Sequence, residues 1–286
     1  MKQIKWYLIN MHFWTRFLDI LYSFLIVPYY FIPSLVVYPI GFLSIINVPT
    51  DIQMIILVIS ISGLGSAVIM IFENRYNAIR PTNSIAKFSK RKIYHFMNFF
   101  IGFVLLIVPF SNLSDQQTAK NEYLKLLDCP IPEYFHSSAR VYKPKNDKLL
   151  TYCGFGFAIL ISFQVMYFTL VSFYYLYSLE QRKMSQATRK LQRKFFLTAL
   201  LQLLIHLIAI VIPMGYCFFS FLMTYHNQYL INLSTLVVTL HGTITSISMI
   251  IINRPYYKYS KQLLLPKTAH RNSVKINLLT TSSSWF

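Results

Sequence analysis

The chain has 286 residues, of which 55% are hydrophobic, 17% aromatic and only 13% charged, and its mean hydropathy is +0.46. Soluble domains carry about 25% charged residues, so this composition excludes an ordinary soluble protein and points to a membrane protein. Its 27 Lys and Arg against 9 Asp and Glu give a net charge of +18. The basic clusters alternate with membrane-length apolar runs, which excludes a nucleic-acid partner.

A bilayer crossing requires about 20 mainly apolar helical residues. Six regions qualify, roughly residues 7 to 31, 52 to 72, 94 to 110, 150 to 178, 195 to 222 and 229 to 252. The first follows Met1-Lys2 closely, lacks a small-residue cleavage site and contains Asp19, so it reads as a span rather than a cleaved signal peptide. Between the first two regions, Pro33, Pro39, Gly41 and Pro49 interrupt an apolar stretch that is expected to be interfacial or re-entrant. Pro213-Met214-Gly215 predicts a kink in the fifth span. The fold class expected is all-α, a six-span transmembrane bundle over residues 1–264 followed by a flexible cytoplasmic tail over 265–286, which is polar, basic and rich in Ser and Thr.

Placing the N-terminus in the cytoplasm puts twenty of the 27 basic residues on that side, including Arg75, Arg91, Lys92, Arg193, Lys194 and Arg254. The opposite-side connector, about residues 111 to 148, balances six basic against five acidic residues. This is the positive-inside pattern, and an even number of crossings leaves both termini cytoplasmic. The sequon Asn112-Leu113-Ser114 opens the balanced connector, making Asn112 a glycosylation candidate.

Polar groups within apolar runs are the candidates for function. Arg16 and Asp19 have the i, i+3 spacing of a same-face ion pair, and an unpaired carboxylate in hydrocarbon is costly, so Asp19 is expected to face the bundle. Gln202, His206 and His241 are further members of such a polar network, with structural hydrogen bonding as the default role. Two histidines and one distant Asp specify no metal site. Gln164, Phe163, Tyr167 and Phe218 are candidate contacts of an aromatic ligand cavity, although aromatic packing explains most of 24 Phe and 21 Tyr. Cys129 and Cys153 both fall near the external side, where a disulfide across the connector is one reading. Enzyme activity is not expected: the chain has no HExxH, GxxxxGK[ST] or GxSxG pattern, and no sequence feature calls for a cofactor.

Several strings carry a family likeness. The opening Met1 to Trp14, with Leu18-Asp19 and Ser23 to Tyr29, resembles the second transmembrane region of nematode serpentine receptors of class H, a chemoreceptor family. Phe72-Glu73-Asn74-Arg75-Tyr76 resembles the end of that family's third helix, and Leu191 to Phe196 with Ala199, Leu200 and Gln202 resembles the entry to its sixth. Tyr225, Gln228, His241-Gly242 and Pro255-Tyr256-Tyr257 resemble its last helix and cytoplasmic exit. The resemblance implies a seven-helix, G-protein-coupled-receptor-like chemoreceptor in a plasma or ciliary membrane of sensory neurons, with a small-molecule ligand, a heterotrimeric G protein and membrane lipids as partners. The chain departs from the pattern by opening at the second helix, which makes a receptor lacking its first span the expectation. It also places Asn74 between Glu73 and Arg75, so the adjacent acid and arginine of the common receptor tripeptide are missing.

On that likeness Glu73, Asn74, Arg75, Tyr76, Pro255 and Tyr256 are candidates for conformational or cytoplasmic coupling. By themselves, Arg75 and Tyr76 also suit a positive-inside anchor, and Pro255 with its tyrosines suits a helix stop at the headgroup boundary. The competing functions are a six-span transporter or channel subunit, for which no repeat or filter stands out, and a truncated receptor without signalling activity.

Overall fold

The computed structural model describes residues 2–79, 87–124, 132–177, 186–252 and 254–264. Its long helices are α1 (Lys2–Ile20), α3 (Thr50–Ile79), α4 (Lys87–Ile107), α6 (Asp147–Tyr177), α7 (Gln186–Leu222) and α8 (Gln228–Ile252), joined by the shorter α2 (Phe42–Ile45), α5 (Gln116–Leu124) and α9 (Arg254–Leu264). Among the described residues five helices are long and apolar enough to cross a membrane: Thr50–Ile79, Lys90–Ser111, Lys148–Tyr177, Lys190–Leu222 and Gln228–Ile252. The sixth expected span, the first in the chain, falls short in apolarity, because any 18-residue stretch of α1 contains Lys5, Arg16 and Asp19. It also ends earlier than expected. A π-helical turn, Leu21–Leu25, extends it, and Pro28 then opens a strand.

Helix α3 is the centre of the bundle, with α1, α4 and α6 packed around it, while α8 closes against α1 and α7. The reason lies in its side chains. Ser60, Ser62, Gly63, Ser66 and Ala67 are small and buried, so neighbouring helices approach the α3 backbone closely. At Gly63 a Cβ would lie 2.5 Å from the Trp14 ring of α1. Two of the serine hydroxyls are satisfied within the helix, Ser60 donating to the Ile56 carbonyl and Ser62 to that of Val58, while Ser66 donates to the His95 carbonyl of α4 at 3.3 Å. Leu18, Leu21, Ile26, Leu57, Ala67 and Val238 form the main core between α1, α3 and α8, and Ile69, Phe72, Val165 and Phe168 join α3 to α6. The outer faces of α4, α6 and α7 expose Phe96, Ile159, Leu170 and Ile212, which in a bilayer meet lipid. Helix α7 runs through Pro213 without ending.

The helical bundle carries one element the all-α expectation lacks. Strands β1 (Pro28–Phe31), β2 (Val36–Pro39) and β3 (Arg140–Val141) form an antiparallel sheet in that order, with Phe31 opposite Val36 and Val36 opposite Val141. The proline-rich segment, expected to be interfacial or re-entrant, contributes to a hairpin, and its Tyr, Phe and Val residues suit a pleated, half-buried surface. The polar connector folds over it. Phe31, Val36, Ala119, Tyr134, Ala139 and Val141 build a small separate core, and the Gln116 amide bonds both the amide and the carbonyl of Val141 at 2.9 Å, filling a strand's place at the sheet edge.

This cap is fastened to two helix starts. Thr50 donates to the Ser138 carbonyl at 2.9 Å, Arg140 pairs with Asp51, and the Tyr142 hydroxyl donates to Asp51 at 2.9 Å. Hydrogen bonding to Asp51 holds the Arg140 guanidinium above its ordinary pKa, and burial, reinforced by the Asp51 charge, pushes the Tyr142 phenol well up. On the other side, His226 Nδ1 lies 2.7 Å from the Ile32 carbonyl and Gln228 donates to the Tyr30 carbonyl at 2.9 Å, beside the start of α8.

Tyr134 is fully buried and meets Phe31 edge-to-face at 5.7 Å. Tyr134→Ala is expected to cost the cap about 3 kcal/mol and to speed limited proteolysis within residues 111–148 while the bundle helicity, read by circular dichroism, stays unchanged.

Candidate functional site

Two buried carboxylates organise the polar interior. Asp19 lies on α1 with 12% side-chain exposure and reaches across to α8. Its Oδ1 accepts the Gly242 amide at 3.2 Å and lies 3.2 Å from His241 Nδ1, while Oδ2 sits 3.5 Å from Arg16 Nη1. His241 is fully buried, its Nδ1 shared with the Val238 carbonyl at 2.6 Å, and Arg16 in turn donates to the Ser246 hydroxyl. The small residue at 242 makes this contact. A Cβ there would fall 1.9 Å from Asp19 Oδ2, inside any real separation, so only glycine lets the carboxylate reach the helix backbone.

The second carboxylate, Glu73, sits at the basic end of α3 and faces α4. Its Oε2 accepts Arg91 Nη2 at 2.6 Å and Nε at 3.2 Å, and His95 Nε2 lies 3.4 Å away. Asn74 Oδ1 takes a longer 3.4 Å contact from the same guanidinium, and the Asn77 amide bonds Glu73 from the next turn. Arg91 also lies over the Tyr7 ring of α1 at 5.9 Å, a cation–π contact that draws α1 toward the same cluster. The arrangement can store or release a conformation: a two-point guanidinium–carboxylate pair with little solvent holds α3 to α4 until a competitor takes one partner.

The sequence-predicted residues separate into groups. Arg16, Asp19 and His241 lie together. Gln202 and His206 lie on α7, and their side chains are outside the described residues. Glu73 and Asn74 join the α4 cluster, whereas Arg75 is buried at 6% exposure instead of reaching the interface, and the Tyr76 ring packs on Phe168 at 5.5 Å. Helix α8 ends at Ile252, residue 253 lies outside the described residues, and α9 begins at Arg254 with Pro255 in its first turn, where a missing amide hydrogen is tolerated; the side chains of Pro255 and Tyr256 lie outside the described residues.

The four ligand candidates do not converge. Phe163 and Tyr167 are 64% and 50% exposed on the outer face of α6, Gln164 bonds Tyr94 and Asn98 of α4, and Phe218 meets Phe155 edge-to-face at 5.1 Å. Each serves packing or faces lipid, as helical spacing requires of neighbours 163 and 164. Asn112 is exposed beside the cap, its carbonyl accepting the Lys145 amide. Cys153 lies on α6, but Cys129 is outside the described residues, and so is the tail 265–286. Sequence reasoning missed Arg91 and His95. Their i, i+4 spacing at the start of an apolar helix, opposite a lone Glu in another, was the available signal.

Gly242→Ala is expected to push Asp19 off α8 and lower the stability of the purified protein by about 2 kcal/mol, read as a fall in melting temperature. Gly215→Ala, where a Cβ meets nothing within 4 Å, is expected to leave it unchanged.

Comparison with known proteins agrees with this architecture. The family model described as "Serpentine type 7TM GPCR chemoreceptor Srh" matches residues 1–266. Serpentine receptor class H-72 of Caenorhabditis elegans is 26% identical over 289 residues, an alignment that covers 99% of this chain and 81% of that relative. The chain is a multi-pass membrane protein of mainly helical build, and it belongs to the Srh family of serpentine, seven-helix GPCR-type chemoreceptors.

Proposed function

We propose that the chain is a chemosensory receptor in which a small molecule, bound at the capped end, changes the set of helices offered to a heterotrimeric G protein at the basic end. The observation that carries this reading is that α3 is anchored at both ends by an ion pair. Asp51 holds the cap through Arg140, and Glu73 holds α4 through Arg91. The two acids are 22 residues apart on one helix, which is about 33 Å at 1.5 Å per residue.

A cleft of about 310 Å³ lies beside the first pair, lined by Ser44, Asn47, Thr50, Asp51, Ser138 and Arg140. Hydroxyl, amide and charged groups converge there, and a polar ligand that bonds Asp51 or Arg140 competes with their mutual contact. Differential affinity for the arrangement with that contact opened is what shifts the helix population. At the other end, release of Glu73 from Arg91 frees the start of α4 and the end of α3. The basic residues there, Lys90, Arg91, Arg193 and Lys194, suit a cytoplasmic face that meets a G protein and inner-leaflet lipid. Asn74, Arg75 and Tyr76 sit on the same last turns of α3 and serve the coupling by position, and Pro255 and Tyr256 begin the helix that follows α8. The proposed setting is the plasma or ciliary membrane of a sensory neuron, with Asn112 carrying a glycan on the outer side.

Full-length protein reconstituted with a heterotrimeric G protein tests the reading. Glu73→Gln and Arg91→Gln are each expected to raise basal nucleotide exchange roughly fivefold, the population shift that about 1 kcal/mol gives. The paired reversal, Glu73→Arg with Arg91→Glu, is expected to return it toward the starting level. Exchange unaltered by all three would overturn the coupling role of this pair.

A further inference from the structure

A second cleft, of about 550 Å³, opens between α1, α3 and α4 next to the Glu73 cluster but on its outer side. Its walls have two chemistries. At the basic end stand Arg91 and Lys92, and no carboxylate is among the lining residues. Further along α1 and α4 lie Trp14, Phe96 and Phe99, with the Trp14 and Phe99 rings 6.4 Å apart. Both α1 and α4 run away from the basic end, and Lys92 to Phe99 is about 10 Å along the helix at 1.5 Å per residue. The cleft therefore passes from cationic to aromatic in the direction in which a phospholipid passes from headgroup to acyl chain. Its mouth faces outward through Phe96, which is 64% exposed on the surface that meets lipid.

The floor adds an independent sign of a ligand. His95 is 93% buried, since only 7% of it is exposed, and it lines the cleft. Both ring nitrogens are buried without a hydrogen bond among the described residues: Nε2 lies 3.4 Å from the Glu73 carboxylate, a charged neighbour, and Nδ1 has no such neighbour. A buried polar nitrogen left unmatched is unfavourable, and such atoms are normally paired. With Nε2 protonated toward Glu73, Nδ1 is an acceptor, so the missing partner is an N–H or O–H donor. Arg91 directs Nε and Nη2 to Glu73, so a phosphate oxygen at this guanidinium shares it with that carboxylate.

We infer that this cleft is a binding site for an anionic glycerophospholipid whose headgroup also carries a hydrogen-bond donor, as phosphatidylserine does. The phosphate and carboxylate meet Arg91 and Lys92, the headgroup ammonium donates to His95 Nδ1, and an acyl chain lies along Trp14, Phe96 and Phe99. A soluble anion leaves the aromatic part of the wall uncovered, and a neutral lipid brings no net negative charge to the two cations. The site is separate from the polar cleft under the cap; it shares Arg91 with the Glu73 pair, and its test reads lipid binding rather than signalling.

The chain has three tryptophans, Trp6, Trp14 and Trp285, so Trp6→Phe with Trp285→Phe leaves Trp14 as the reporter. This protein is placed in nanodiscs of unlabelled phosphatidylcholine doped with either brominated phosphatidylserine or brominated phosphatidylcholine, and quenching of Trp14 is followed against mole fraction. Half-maximal quenching is expected at a roughly tenfold lower fraction of the serine lipid, from two nearby cations. Lys92→Gln and Arg91→Gln are expected to remove most of that preference, and Lys194→Gln, on α7, to leave it. Lys92→Gln spares the Glu73 contacts and keeps the test decisive should Arg91→Gln fail to fold. Equal quenching by the two lipids overturns the proposal. So does a serine preference that survives both substitutions, which would mark diffuse attraction to a chain of charge +18.

Discussion

An ionised carboxylate inside a bilayer must find a partner, and this requirement fixes how the helices of the chain are joined. Of the nine acidic residues, Asp19 and Glu73 are buried within long helices, and each reaches to a different helix for its match. Asp19 binds the first helix to the last long one through Gly242 and His241, residues more than two hundred positions away. Glu73 binds the central helix to its successor. Apolar packing alone is a weak selector between helix pairs in hydrocarbon, because lipid tails are as apolar as leucine. The two carboxylates supply the selection, and small residues at Gly63 and Gly242 let the backbones come close enough for it.

The cap follows from the same economy of backbone hydrogen bonds in a different solvent. Outside the bilayer a chain interrupted by Pro33 and Pro39 cannot continue as helix, but it can pair as a hairpin, and the connector supplies a third strand and an aromatic lid in Tyr134. Because the cap is fastened to the first turn of α3 and to the residues just before and at the start of α8, it touches both helices that the buried carboxylates join elsewhere. A receptor needs such continuity between its two faces, and α3 provides it as one uninterrupted helix with an ion pair near each end.

The sequence makes the bundle legible because transmembrane helices are written in composition: runs of apolar residues, basic flanks and rare acids. It also shows that Asp19 needs a partner and, by i, i+3 spacing, that Arg16 is one. The rest depends on which helices become neighbours, and spacing along one helix cannot reveal that. Glu73 and Arg91 are eighteen residues apart across a connector, so their pairing stays hidden until α3 and α4 are packed. Short strands of four and two residues leave too weak a period to be read among aromatics, which is why the sheet is absent from the sequence reading. The aromatic ligand candidates lie apart for a related reason. In a chain with 24 Phe and 21 Tyr, most rings serve packing or face lipid, and Phe163 and Tyr167 do the latter.

A double-mutant cycle on the long-range pair that closes the bundle tests most directly whether Asp19 joins α1 to α8. Asp19→Asn, His241→Phe and their combination are compared with the parent protein by reversible unfolding in one lipid composition. The double variant is expected to lose less than the two single losses together, by more than about 1 kcal/mol, because either change alone leaves a buried polar partner unmatched. Losses that add to within about 0.5 kcal/mol would show that the two residues act independently, and would contradict a bundle closed through Asp19.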